Sequence, residues 1–236
     1  MGHRTLLLIA LAVSACRPTV YGRDDADLAK VRVRMVDEQI VARGIKDPLT
    51  LEAMRTVPRH AFVPSATAGA DAYGDHPLPI GHGQTISQPY IVAFMTEALG
   101  LKKGAIVLEV GTGSGYQAAV LGQIAERVYS VEILPALADE ARARLGRLGY
   151  RNVQVRVGDG YQGWPEAGPF DGIMVTAAAP RVPEPLKAQL RDGGRLVIPV
   201  GDQSQELMVV TRKGDAFEEK RILPVRFVPM TGKVRQ

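Results

Sequence analysis

Glu109-Val110-Gly111-Thr112-Gly113-Ser114-Gly115 sets a carboxylate just ahead of three alternating glycines. Glycine in such a turn allows positive φ, and it lets a ligand touch the backbone with no Cβ in the way. Val107, Leu108 and Val110 read as a buried strand before the turn. From Tyr116 the pattern becomes helical, with Ala118, Ala119, Leu121 and Ile124 able to share one face. Strand, glycine turn and helix form the first half of a nucleotide-binding βαβ unit. The spacing is G-x-G-x-G, which is neither the G-x-G-x-x-G of dinucleotide sites nor the G-K-[ST] ending of a phosphate-binding loop.

In an open α/β sheet the ligand lies beyond the carboxyl ends of the strands, and further acids fall there. Glu132 follows the glycine turn by about 20 residues, where an acid accepts hydrogen bonds from both ribose hydroxyls and disfavours a 2′-phosphate. Asp159, between Gly158 and Gly160, is placed either to accept from an adenine amino group or to close an Asx turn. Asp171 lies just inside another strand and reads as site or scaffold. An acid leading the glycines suits a ligand with a cationic end and no phosphate, since pyrophosphate wants a helix N-terminus free of nearby anions. S-adenosylmethionine, with its sulfonium, ammonium and ribose, answers that description better than NAD. Upstream, Thr85 and Ser87 in Gln84-Thr85-Ile86-Ser87-Gln88-Pro89 offer hydroxyls that either cap a helix or face a substrate. His60, His76 and His82 lack metal-ligand spacing and read as structural or surface residues.

The elements that must hold these groups follow from periodicity. Asp27 to about Gly44 reads as a helix stopped by glycine, and Asp47-Pro48 opens a second that runs to about Val57. Residues 65–83 are rich in Gly, Pro, Ala and Asp and read as irregular chain, long enough to hint at function. Pro89 starts a helix that ends at Gly100. Strands are expected at 127–132, 153–157, 170–175 and 195–200, with helices over 135–148 and 185–190. Leu207–Thr211 and Ile222–Val228 form a hairpin around Lys213-Gly214-Asp215. The expected fold class is α/β: a Rossmann-like, doubly wound, mostly parallel sheet with a C-terminal antiparallel hairpin and an N-terminal helical extension.

The 236 residues are 46% hydrophobic and 23% charged, the balance of an ordinary globular protein. A net charge of +4 with scattered basic residues gives no nucleic-acid groove. The single cysteine, Cys16, rules out an intrachain disulfide or a cysteine-based metal site. It ends a positive start, an apolar run from Thr5 to Val13, and Val13-Ser14-Ala15-Cys16, the layout of a signal peptide with a lipoprotein-like box. That run is too short to span a bilayer. Residues 1–23 are therefore set apart from the fold, as an export signal or as a segment upstream of the true start.

From about Arg34 onward the chain resembles the protein-L-isoaspartate O-methyltransferase family. The likeness rests on Pro58-Arg59-His60-Ala61-Phe62-Val63, on Leu78 to Pro89, and on the Glu109-to-Gln117 loop. It continues through Gly158-Asp159-Gly160, Val175 to Pro180, Leu196 to Gly201, and Arg226-Phe227-Val228-Pro229-Met230. The glycine loop marks only a broad methyltransferase class; Gln84-to-Pro89 together with Thr176-to-Pro180 is far more specific.

The resemblance implies methyl transfer from S-adenosyl-L-methionine to the α-carboxylate of L-isoaspartyl residues in damaged proteins, which begins their repair. It implies Ser87 as the active-site serine. Gln88, Glu109, Gly111, Gly113, Gly115, Glu132, Asp159, Gly160 and Thr231 would serve the cofactor, with Gln236 beside them. Thr85, Ile86, Thr176 and Ala177 would form the substrate pocket. Residues 24–236 would make one domain, in which 24–100 supply helices and the substrate loop and 101–236 the cofactor-binding core. No metal and no nucleic-acid partner is implied, and the expected state is a monomer in the cytoplasm, or an envelope lipoprotein if Cys16 is lipidated. The alternatives are a methyltransferase acting on RNA or a small molecule, a nicotinamide dehydrogenase, and a non-catalytic cofactor-bound module.

Overall fold

A computed structural model describes residues 23–235. The lipoprotein-like box at Cys16 and the C-terminal Gln236 lie outside the described residues. Six α-helices and nine strands are ordered as α1 (Arg23–Met35), α2 (Pro48–Thr56), β1 (Leu78–Gly81), β2 (Gln84–Ile86), α3 (Pro89–Leu99), β3 (Ile106–Val110), α4 (Tyr116–Ile124), β4 (Arg127–Glu132), α5 (Pro135–Arg147), β5 (Val153–Val157), β6 (Phe170–Val175), α6 (Glu184–Ala188), β7 (Leu190–Val200), β8 (Gln205–Lys213) and β9 (Ala216–Val225). Seven strands form one sheet in the order β5-β4-β3-β6-β7-β8-β9, parallel from β5 to β7 and antiparallel from β7 to β9. The chain winds outward from β3 through β4 to β5, then returns to β6 on the other side of β3. A crevice opens where that order reverses, at the carboxyl ends of β3 and β6.

β3 is buried on both faces, with Val107, Leu108, Glu109 and Val110 each at most 3% exposed, as a central parallel strand requires. One apolar layer joins Val107 and Val128 of the sheet to Leu121 of α4, Met95 of α3, Met54 of α2 and Met35 of α1. On the opposite face Leu108, Ile173 and Leu196 pack with Leu186 of α6. The N-terminal helices thus share the core of the sheet. Among the described residues no helix is long and apolar enough to cross a membrane.

Local chemistry accounts for the boundaries. Asp47 caps α2 by accepting from Thr50 N at 2.8 Å, and Pro48 occupies the first turn, where no N–H is needed. Glu97 of α3 accepts from Lys46 N and Asp47 N, each at 2.7 Å, and so ties the two helices together. The stop at Gly44 holds, with φ +94°, but the expected helix before it is not uniform. It loosens at Val36–Ile40 into a π-helical turn and then tightens at Val41–Arg43.

The expected irregular stretch 65–83 instead contains two short 3₁₀ turns and leads into the β1–β2 hairpin. Two strands of four and three residues carry too little alternation to be seen in sequence. The C-terminal hairpin is longer than expected, and its turn falls at Lys213–Ala216 as anticipated. Asp171 is scaffold: it accepts from Ile106 N at 2.8 Å and from Arg191 Nη1 at 2.6 Å, which locks the start of β3 to β6.

Candidate active site

The glycine turn leaves β3 with positive φ at all three glycines: +94° at Gly111, +51° at Gly113 and +87° at Gly115. Neighbours then hold the turn in place. Thr176, at the end of β6, donates its hydroxyl to Gly111 O at 2.6 Å. A Cβ on residue 111 would stand 2.4 Å from that hydroxyl oxygen, so position 111 tolerates only glycine on two counts. Glu132, ending β4, accepts from Gly113 N at 2.9 Å through Oε2 and from Leu134 N at 3.0 Å through Oε1. Arg144 of α5 donates to Ser114 O at 2.8 Å.

Behind the turn runs a buried polar chain. Thr112 Oγ1 and Ser130 Oγ are 2.5 Å apart, and the Ser130 hydroxyl donates to Glu109 Oε2. Glu109 is wholly buried and its Oε1 has no hydrogen-bond partner of ordinary geometry, although the Ala118 amide also favours the charged carboxyl. Burial pushes its carboxyl up to about 8; the charge of Glu132 adds to the rise, and the Ser130 hydrogen bond opposes it.

A cavity opens on the front of the turn. Gly111, Gly113, Glu132, Gly160 and Thr231 line it, as do Thr85, Ile86, Ser87, Thr176 and Ala177. Gly160 is held close beneath it, since a Cβ there would lie 2.3 Å from Val110 Cγ1. Three of the expected cofactor residues stand behind this wall. Glu109 faces Ser130, Gly115 begins α4 against Leu145, and Asp159 accepts from Tyr161 N (2.9 Å) and Lys233 N (2.8 Å). Asp159 thus closes an Asx turn and ties down the C-terminal segment, and like Glu132 it keeps acceptor capacity for a ligand. Gln88 turns away as well, donating to Asp75 at 2.7 Å.

The wall also includes His82, read from sequence as structural or surface, and Ile133, Leu134 and Met230, which were given no site role. An apolar pair directly after the strand-ending acid was the available signal for Ile133 and Leu134. For Met230 there was none, because its place depends on a long-range pairing in which Met230 N donates to Ala178 O at 2.7 Å.

Size alone would misplace the site. A broader depression of about 660 Å³ lies around Arg32, His60 and Asn152, away from the carboxyl ends of the strands and without a carboxylate. The crevice by the glycine turn is smaller, about 240 Å³, and its chemistry is distinctive. Among the described residues no lysine or arginine lines it, while Glu132 supplies an anion. A pyrophosphate would have no cationic partner there. A nucleoside carrying a cationic sulfonium and ammonium fits.

The family model for protein-L-isoaspartate(D-aspartate) O-methyltransferase matches residues 30–235. The chain belongs to this family. A protein-L-isoaspartate O-methyltransferase of Opitutus terrae is 57% identical over 233 residues, 98% of each chain. Another, from Methylorubrum extorquens, is 59% identical over 206 residues, 86% of this chain and 90% of its own. A Plasmodium falciparum protein of the family, solved in complex with S-adenosyl-L-homocysteine, superposes with a TM-score of 0.74 at 28% identity, covering 85% of this chain and 98% of that one. The chain is an S-adenosylmethionine-dependent methyltransferase that acts on the α-carboxylate of L-isoaspartyl residues in proteins and peptides.

Proposed function

We propose that the reaction takes place at a neck formed by Thr85, Ser87, Thr176 and Val228. These four residues line both the glycine-turn cavity and a second groove that opens outward beside Pro77, Ile91 and Phe227. That shared wall is the observation that supports the reading: a site without cationic side chains for phosphate on one side, an open groove of about 630 Å³ on the other, and hydroxyls between them.

Bound S-adenosylmethionine supplies a methyl group on a cationic sulfonium. Glu132 accepts from its ribose hydroxyls while holding Gly113 and Leu134 in place. Thr176 fixes the turn and presents its face to the neck. Ser87, between Ile86 at the end of β2 and Pro89 at the start of α3, donates its hydroxyl to the substrate carboxylate and orients it. The neck residues include no general base, and none is required, because a carboxylate with a pKa of about 4 is already ionised at neutral pH. What the chain contributes is alignment, and proximity of this kind lowers a barrier by on the order of 7–11 kcal/mol.

The finer assignments follow from the family resemblance and from where the cofactor is supplied. Residues 24–236 act as one domain, with 24–100 forming the acceptor side and 101–236 the cofactor side. The enzyme works as a monomer in the cytoplasm, where its cofactor is made.

The deciding assay supplies labelled S-adenosylmethionine with an isoaspartyl peptide and with its aspartyl twin. Methyl ester should form only on the first. Equal labelling of both, or of RNA instead, would reject the proposal.

Glu132→Ala is expected to weaken cofactor binding by roughly 1.5–3 kcal/mol, the scale of hydrogen bonds to a charged group. Calorimetry decides it: unchanged affinity would leave Glu132 a role in the turn alone.

A further inference from the structure

The outer groove carries one formal charge. Arg226, just past the end of β9, is its only ionisable lining residue among those described. The other walls are apolar or neutral, with Pro77, Ile91, Val225 and Phe227 leading to the hydroxyls at the neck. Arg226 is exposed and makes no hydrogen bond or ion pair with any described residue.

Its mount is rigid. Gln205 clamps the next residue on both sides, donating to Phe227 O at 3.1 Å and accepting from Phe227 N at 2.6 Å. Val225 pairs with Gln205 in the sheet, and Val228 O accepts from Ala178 N at 2.8 Å. A free guanidinium thus stands on a fixed backbone at the rim. Asp75, bonded to the groove residue Gln88 (2.7 Å), is also paired with Arg43 (2.6 Å), so its charge is already met.

We propose that Arg226 determines specificity by pairing with an acidic side chain that flanks the isoaspartyl residue, so that the enzyme prefers damaged sites in acidic surroundings. A peptide whose modified residue reaches the neck runs its neighbours along this groove and past the guanidinium. That group matches a carboxylate in fork geometry and disfavours a nearby Lys or Arg. The inference rests on the isoaspartyl reading above. It concerns residues beside the acceptor, whose own carboxylate is common to every substrate.

The test uses isoaspartyl peptides identical except for Asp, Gln or Lys at each flanking position, with kcat/KM measured at low and high salt. An exposed ion pair corresponds to about a two- to five-fold preference for Asp over Gln, with Lys poorer still, and to a preference that shrinks as salt rises. Arg226→Gln should erase the preference and leave kcat/KM on the Gln peptides within about two-fold. Arg226→Glu should invert it, favouring Lys. A wild-type enzyme indifferent to flanking charge overturns the proposal. So does an Arg226→Gln variant that slows every peptide equally, which would put Arg226 on the acceptor carboxylate. Absence of methylation on all isoaspartyl peptides would instead fail the underlying reading, a result these outcomes do not resemble.

Discussion

Ser87→Ala is expected to lower turnover of an isoaspartyl peptide by about 10- to 150-fold while leaving cofactor affinity within a few-fold. The range is what loss of a hydrogen bond to a charged group costs, about 1.5–3 kcal/mol, expressed as a rate. The residue stands at the neck, where the glycine-turn cavity and the outer groove share a wall. On the proposed reading it holds the acceptor at the point where position matters, and the nucleoside's own contacts come from the glycine turn and Glu132. Its backbone is held between the β1–β2 hairpin and the first turn of α3, so removing one hydroxyl should not shift that mount. Steady-state kinetics and calorimetry on one preparation check both halves. A fall in kcat with unchanged cofactor Kd supports an orienting role. A cofactor Kd weakened by the same factor would move Ser87 to the nucleoside side. A rise in KM alone would mean that its hydrogen bond is as strong in the ground state as in the transition state. A residual rate well above background is expected in every case, since no covalent intermediate is assigned to the serine.

What could be read from sequence followed from the range of the interactions. The parallel core was legible because its central strands are short apolar runs, and the helices carry glycine stops in the left-handed region, at Gly44 and Gly100 before the core and at Gly149 after α5. The side of the sheet on which a ligand binds follows from chain direction, so Gly111, Gly113 and Glu132 line the cavity where spacing put them, and Gly160 where the resemblance did. The directions in which two of the acids face were not legible. Glu109 and Asp159 sit at the right ends of the right strands, but a side chain's face depends on partners far away in sequence. Glu109 turns inward to Ser130, 21 residues on, and Asp159 turns to Lys233, 74 residues on. No local pattern encodes either choice. The β1–β2 hairpin escaped for a related reason. Its turn, Gly81-His82-Gly83, has positive φ at all three residues, including the non-glycine His82 at +52°, a conformation that tertiary contacts impose.

Glu109→Gln is expected to flatten the pH dependence of stability between about pH 5 and pH 8. In the folded chain the carboxyl titrates at about 8, chiefly because it is buried, against an ordinary value of 4.5. Between those two values the folded state holds a proton that the unfolded chain gives up. The contribution is thus complete below pH 4.5 and drains away as pH rises towards 8. The slope is about 1.4 kcal/mol per pH unit, on the order of 5 kcal/mol across the window, and nothing further is lost above it. Glutamine keeps a carbonyl to accept from Ser130 and carries no titrating proton. The variant should therefore match the wild type near pH 5 and exceed it near pH 9, by up to a few kcal/mol in urea unfolding with an unchanged m-value. Parallel curves for the two proteins would show that Glu109 is not the titrating group. The comparison also bears on the site. Above pH 8 the wild type places a second anion behind the turn that Glu132 already holds, whereas the glutamine variant does not. If the Thr112–Ser130–Glu109 chain is what keeps the turn in register, the variant's cofactor affinity at pH 9 should equal its affinity at pH 7, while the wild type's changes.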